Sequence, residues 1–424
     1  MKRITILIGF CLYIFLSPLS AQNAPIPTEE RSDSLLSRYL QAYGVQTTDS
    51  NHIQLILSGH DKFELLFDDI RKARHFVHLE YFNFRNDSIA GLLFEILKDK
   101  VKEGVKVRAM YDSFGNSSNN RPLKKSHLSA LRQAGIDIVC FDPLRFPYIN
   151  HAFHRDHRKI VVIDGRIAYT GGMNIADYYI TGLPEFGPWR DMHMRLEGPA
   201  VDELHKIFLA MWEKETEQLL PPEEKQCYPP ATAYDIPGVP DVRAAIVDRE
   251  PKKKIPRRLL RRTFVEMIEG AKDSITLINP YFTPTHKVRK ALKNAAERGI
   301  KLKVMVSSKS DIPITPNATF YTAHSLMKRG ADVYLFNGGF HHSKTMTADG
   351  THCTVGSANL NSRSLRYDYE VNTFIFDQRV TLQIDSLFQA DCMQSDRMTP
   401  ESWKQFSPWK RFKCWLANLL TPFL

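Results

Sequence analysis

The sequence is poor in cysteine and has almost no long hydrophobic run, and each shortage argues against a class of protein. Six cysteines occur in 424 residues. The five beyond the N-terminal segment (Cys140, Cys227, Cys353, Cys392 and Cys414) are odd in number, widely spaced and without a CxxC pair. That pattern argues against a disulfide framework or a zinc cage, and the thiols read as mostly buried. HAFHRDH sets His151, His154 and His157 three apart, but no Cys or acidic cluster accompanies them. No metal and no cofactor is therefore expected. The apolar stretch at 4–16 follows Lys2 and Arg3 and precedes SPLSAQ. It is short for a membrane span and has the three-part shape of an export signal, so residues 1–21 are read as a signal peptide or an N-terminal anchor. Acidic residues are also in deficit, 47 against 57 basic ones, for a net charge of +10. Such a balance suits an anionic partner: nucleic acid, anionic lipid or a phosphate substrate.

What is present is a phrase written twice. HRKIVVIDG (157–165) and HSKTMTADG (342–350) share His, Lys and Asp at equal spacing. Seven residues beyond each Asp comes GGMN (171–174) or GSAN (356–359). One short motif is a weak signal; two with the same tail are not coincidence. Val and Ile fill the run after His157 and Lys159, and Asp-Gly is a common hairpin turn. Alternate residues of a strand share a face, so His157 and Lys159 project together.

The duplication extends further. FELLFDDIRKARHFVHLEYFNF (63–84) matches RTFVEMIEGAKDSITLINPYFTP (262–284), with Tyr81-Phe82 set against Tyr281-Phe282. LKDKVKEGVKVRAMYDS (97–113) matches LKNAAERGIKLKVMVSS (292–308), a helix ending at Gly104 or Gly299 before a strand. Helices alternating with short apolar strands predict an α/β fold: two lobes related by a pseudo-twofold axis, each a mixed, mostly parallel sheet flanked by helices. The division expected is an N-terminal extension at 22–50, a first lobe at 51–220, a proline-rich linker at 221–245, a second lobe at 246–398 and a C-terminal tail at 399–424. KKKIPRRLLRR (252–262) reads either as a solvated helix face or as a patch attracting anionic headgroups.

Two lobes packed face to face would bring two imidazoles, two ammonium groups and two carboxamides into one cleft. A phosphodiester can use that set. One neutral His attacks phosphorus, and the other, protonated, gives a proton to the leaving oxygen. Lys159, Lys344, Asn174 and Asn359 can hold the nonbridging oxygens, and the small residues before each Asn let backbone amides come close. Asp164 lies five residues beyond Lys159, about 16 Å away along a strand and on the other face. Asp164 and Asp349 are therefore expected to fix the hairpins. Asp191 in PWRDMHM and Glu370 in YDYEVNTF are the candidates for orienting the imidazoles.

Both HxKxxxxD phrases, their GGMN and GSAN tails, WRD and EGPAV resemble the phospholipase D superfamily, most closely its bacterial cardiolipin synthases. The resemblance covers nearly all of the chain after residue 50. It implies catalytic roles for His157, Lys159, Asp164, His342, Lys344 and Asp349, with His157 as nucleophile and His342 as acid. The implied reaction joins two phosphatidylglycerols into cardiolipin and releases glycerol. The signal-like N-terminus adds the expectation of an exported protein on the periplasmic side of a bacterial membrane, peripheral or anchored by that segment. The chain departs from the family pattern in having no pair of N-terminal spans, and in NLNSRS, with Asn361 where Asp is usual. That substitution is read as bearing on acceptor choice.

The tail, PWKRFKCWLANLLTPFL (408–424), places Trp409, Phe412, Trp415, Leu416, Leu419 and Leu420 at helical spacing among Lys410, Arg411 and Lys413. It reads as an interfacial helix on an anionic membrane or as a terminal helix docked on its own core. The same centre could hydrolyse phospholipids, with water as acceptor, or serve an exported nuclease.

Overall fold

The computed structural model describes residues 31–143, 153–226, 241–251 and 258–423. The signal-like segment, His151, Cys227, most of the proline-rich linker and the basic residues 252–257 lie outside them.

Among the described residues, fifteen strands form one continuous sheet. In the first lobe Phe76–Tyr81, Lys106–Asp112 and Asp137–Phe141 run parallel. In the second, Ser274–Ile278, Lys301–Ser307 and Asp332–Phe336 do the same. Helices such as Ser88–Lys102 and His286–Glu297 make the crossovers. Gly104 and Gly299, at φ +90° and +83°, end the helical turns that lead into the next strands.

Inward of each parallel trio the ladders turn antiparallel. Lys159–Ile163 pairs with Phe76–Tyr81 and Ile167–Gly171, and Thr345–Ala348 pairs with Ser274–Ile278 and His352–Gly356. The turns are Asp164-Gly165 and Asp349-Gly350, all four with φ between 52° and 64°, as a tight hairpin requires. His193–Glu197 and Glu370–Phe376 come next, then the innermost strands Thr47–Ile56 and Val242–Arg249. The mixed sheet is thus as expected, but parallel pairing is confined to the outer trio of each lobe. The hairpins and the strands that return beside them make the rest antiparallel.

The innermost strands pair antiparallel with each other, Thr47 opposite Ala245 and Thr48 opposite Ala244. The sheet then curls, so the lobes also face one another. Ile160, Val162, Met194 and Leu196 share one core with Val355, Val371 and Ile375. Separate cores lie under the helices of each lobe.

Three details of the sequence reading change. The first lobe begins at Thr47 and the second at Val242, inside the stretches expected to be extension and linker, because both seam strands are needed to close the sheet. The helix Ser32–Ala42, from the extension, buries Leu36 and Leu40 in the second lobe's core beside Phe264 and Met267. Finally, Val77 pairs with Ile163 where Ile275 pairs with Ala348. This register makes Asn279, not Tyr281, the counterpart of Tyr81.

Candidate active site

Two short parallel contacts between the lobes build the centre. Asp156 bridges to Tyr369; Tyr369 N–H donates to Arg155 O (2.9 Å) and His157 N–H to Tyr369 O (3.0 Å). Reciprocally, Phe340–His341 pairs with Trp189–Arg190, and His342 N–H donates to Arg190 O (2.6 Å). The chain leaving each contact therefore delivers a histidine from one lobe beside an acid from the other.

The acids are those singled out from sequence, and they are exchanged between lobes. His157 Nδ1 lies 3.1 Å from Glu370 Oε1, and His342 Nδ1 lies 2.6 Å from Asp191 Oδ2. A carboxylate on Nδ1 fixes the ring's orientation and its tautomer, leaving the Nε2 lone pair for chemistry. Lys159 Nζ donates to His157 O (2.5 Å). Lys344 Nζ lies 2.9 Å from His342 Nδ1 and also donates to His342 O.

Electrostatics tie these groups into one site. Burial, then Lys159, lowers the His157 pKa, and Lys344 of the other lobe adds to the effect. Burial and Lys344 bring His342 down to about 4. Burial brings Lys159 to about 7 and Lys344 to about 8, against the pull of Glu370 and Asp191. For both acids burial raises the pKa, but it is outweighed: Lys344 and His342 hold Asp191 low, and His157 and Lys159 hold Glu370 low. The free site thus carries ionised carboxylates and neutral imidazoles at neutral pH. An entering anion would favour protonation of the histidines and lysines.

Asn174 and Asn359 are both buried. Gly172, two before Asn174, leaves room for Asp191: a Cβ there would overlap the carboxylate. At the equivalent place Ser357 donates its hydroxyl to Glu370 Oε2. The GGMN and GSAN tails thus differ because one acid needs space and the other a donor. Both Asn Oδ1 atoms are buried without a partner among the described residues.

Asp164 and Asp349 are not brought to the imidazoles. The Asp164 carboxylate accepts from the backbone N–H groups of Arg74, His75 and Phe76 at 2.8–2.9 Å. Asp349 does the same for Lys272, Asp273 and Ser274. The catalytic role that the resemblance implied for them is corrected to one of fixing each hairpin to the preceding strand. Asn361 likewise caps the helix Ser362–Arg366, accepting from Ser364 N–H (2.8 Å). Asp caps equally well.

Of the three spaced histidines, His154 is engaged through Nδ1 with Tyr367 O (2.7 Å). No His, Cys, Asp and Glu group suited to a metal occurs among the described residues. Sequence reasoning missed Ser357 as a partner of Glu370. It also missed the rings around the histidines: Phe82 is 5.2 Å from His157, and Trp189 and Tyr281 are 5.4 and 5.9 Å from His342. It missed Lys62 too, which is fully buried and donates to Met173 O and Asn174 O (3.0 and 2.9 Å). The serine was legible in the contrast between the two tails; the lysine gave no motif.

Duplicated lobes that bring two HxKxxxxD histidines to one centre, with the family match to both halves, define a phospholipase D-type enzyme. Within that class, the chain belongs to the family described as "Cardiolipin synthase, PLD-like domain", whose model matches residues 66–212 and 264–392. It is 34% identical over 382 residues to a cardiolipin synthase of Listeria welshimeri, covering 90% of this chain and 77% of that one. It is 32% identical over 378 residues to a probable cardiolipin synthase of Bacillus subtilis, covering 88% and 72%. Among solved structures, phosphatidylserine synthase of Haemophilus influenzae shares the fold, with a TM-score of 0.68 at 12% identity over 92% of this chain and 100% of that one.

Proposed function

We propose that the protein is a phosphatidyltransferase of the cardiolipin synthase type, acting on two molecules of phosphatidylglycerol. The crossed pairs His157–Glu370 and His342–Asp191 carry this reading. His157 Nε2 attacks phosphorus and forms an N–P bond. The glycerol oxygen leaves with its electron pair and takes a proton from His342. The terminal hydroxyl of the second lipid then gives its proton to His342 and attacks phosphorus, and the N–P bond breaks. Cardiolipin and glycerol are the products. Giving His157 the nucleophile's part follows the family and suits its more open side chain, 17% exposed against 7% for His342. Lys159, Lys344, Asn174 and Asn359 stabilise the charge that builds on the nonbridging oxygens.

A lipid substrate requires contact with its bilayer. The helix Pro408–Leu419 buries Cys414 and Ala417 against the fold and exposes Trp409, Phe412, Leu416 and Leu419 along its other side. With Lys410, Arg411 and Lys413 this stripe suits an anionic membrane surface. The signal-like N-terminus supports work on the exported face.

Incubation of the purified protein with phosphatidylglycerol vesicles, read by lipid mass spectrometry, should give cardiolipin and glycerol. Phosphatidic acid without cardiolipin would mean that water is the acceptor and would overturn the transferase reading.

A further inference from the structure

A group of arginines beside the centre is unused by this chemistry. Arg249 is the register partner of Glu370, so both side chains leave the same face of the sheet. The helix Leu259–Gly270 packs on that face through Leu260 and Phe264, and its first turn carries Arg261. The short helix Ser362–Arg366, just after Asn359, carries Arg366. Arg249 and Arg261 are only 4% and 8% exposed. The Nε–H groups of Arg249, Arg261 and Arg366 are buried with no acceptor among the described residues. Burial first, then the charges of Arg258, Arg366 and Arg249, brings the Arg261 pKa down to about 10. Burial brings Arg249 to about 10 as well, despite Asp368 and Glu370.

Those acids are already committed. Asp368 binds Arg363 Nε (2.9 Å) and Arg155 N–H (3.1 Å), and Glu370 serves His157 and Ser357. Two buried guanidinium groups and the half-buried one of Arg366, close enough to act on one another and without matching carboxylates, are unfavourable unless an anion completes them.

We propose that Arg249, Arg261 and Arg366 bind the phosphate of the acceptor lipid, a role that rests on the phosphatidyltransferase reading. Transfer between two phospholipids involves two phosphates. One reacts between the histidines; the other is an inert diester, tethered to the attacking hydroxyl by a three-carbon glycerol bridge. The inert phosphate needs permanent charge and forked donors rather than proton transfer, and arginine supplies both. Arg249 stands opposite Glu370 in the ladder, and the charges of Arg249 and Arg366 act on Arg261, so the set adjoins the centre on the side such a tether would reach. By the duplicated register, Phe63 and Thr181 occupy the places of Arg261 and Arg366 in the first lobe. The arginine set is therefore not repeated in the first lobe, where the buried cation beside the centre is Lys62, held by Met173 O and Asn174 O.

The test compares full-length wild type with Arg261→Gln, Arg366→Gln and Arg261→Lys on vesicles of phosphatidylglycerol in phosphatidylcholine, measuring the ratio of cardiolipin to phosphatidic acid. The ratio divides out any loss common to both products. The Gln variants should lower it about tenfold, the scale of one lost charge-assisted contact, and Lys should restore part of it. Thermal melting in inorganic phosphate is the second arm. Phosphate bound at the catalytic centre should raise the midpoint of both proteins, but that of the wild type by clearly more than that of Arg261→Gln, which without phosphate should melt no lower than wild type. An unchanged ratio overturns the proposal, as does equal loss of both products with a lowered midpoint. Phosphate protection with an unchanged ratio would mean a free-phosphate site and would also overturn it. If the wild type makes no cardiolipin, the transferase reading fails and the acceptor role with it, while the melting arm still decides whether an anion binds there.

Discussion

His157 and Glu370 come from different halves of a duplicated chain and lie 3.1 Å apart. His342 and Asp191 repeat the exchange in the opposite direction at 2.6 Å. Each imidazole therefore depends on the other lobe for its tautomer. Glu370→Gln and Asp191→Asn keep the shape but offer an amide that can hold the wrong tautomer, and each should lower kcat by a factor of about 100 to 10,000. Turnover of phosphatidylglycerol vesicles, with thermal melting as a folding control, checks this. Activity within threefold of wild type would rule out the orienting role.

Asp164 and Asp349 should behave differently. Replacing either by Ala leaves backbone N–H groups without their carboxylate and should cost about 1–3 kcal/mol of stability. Denaturant unfolding measures that loss. At temperatures where the variants stay folded, kcat should remain within several-fold of wild type. A collapse of kcat at unchanged stability would restore a catalytic role to these residues.

The lysines make substrate capture and stability respond oppositely to pH. Their folded pKa values, about 7 for Lys159 and about 8 for Lys344, lie below the ordinary lysine value. Between those values and that of the unfolded chain, the unfolded state binds more protons, so their contribution to stability grows as pH rises. Phosphate capture needs the protonated amines, so kcat/KM should fall as pH rises from about 7 to 9. Lys159→Arg, which stays charged, should move that decline to higher pH.

Acid should weaken the fold through a second buried group. His205, whose Nε2 lies 3.1 Å from His78 Nδ1 and whose ring centre lies 5.0 Å from that of Phe76, is brought to about 4 by burial. The unfolded chain protonates this ring near pH 6.5, so its stabilising effect is complete above that pH and is lost as pH falls towards 4. Chemical denaturation from pH 7 to 5 should show a decline that His205→Gln makes shallower by up to about 1.4 kcal/mol per pH unit.

Membrane contact through the C-terminal helix predicts a charge-selective loss. Lys410, Arg411 and Lys413 changed together to Gln should weaken binding to phosphatidylglycerol vesicles by about 1 kcal/mol per charge. Trp409→Ser, at a side chain 65% exposed, should weaken binding to neutral vesicles too. Sedimentation with vesicles distinguishes these from a helix that serves only its own fold, for which neither change would matter.

Much of the centre was legible because its signals are local. His and Lys at alternate strand positions, Asp-Gly turns and repeated tails lie within single elements, and strand geometry was enough to separate Asp164 from the imidazoles. Asp191 and Glu370 could be chosen from matching places in the two halves. Their exchange between lobes could not, because it depends on the seam between Thr47–Ile56 and Val242–Arg249 and on contacts far apart in sequence. Arg261 was hidden for a similar reason. In KKKIPRRLLRR it looks like one more charge on a wet helix face, and only packing against the sheet turns it inward beside Arg249.

The antiparallel seam at Thr47 and Ala245 also constrains descent. A solitary ancestral lobe would have had an imidazole without its carboxylate and a bare sheet edge, and two copies meeting along that edge would have cured both defects at once. Once joined in one chain, the halves could drift apart in sequence, as Gly172 and Ser357 have done, but each acid remained answerable to a ring inherited by the other half.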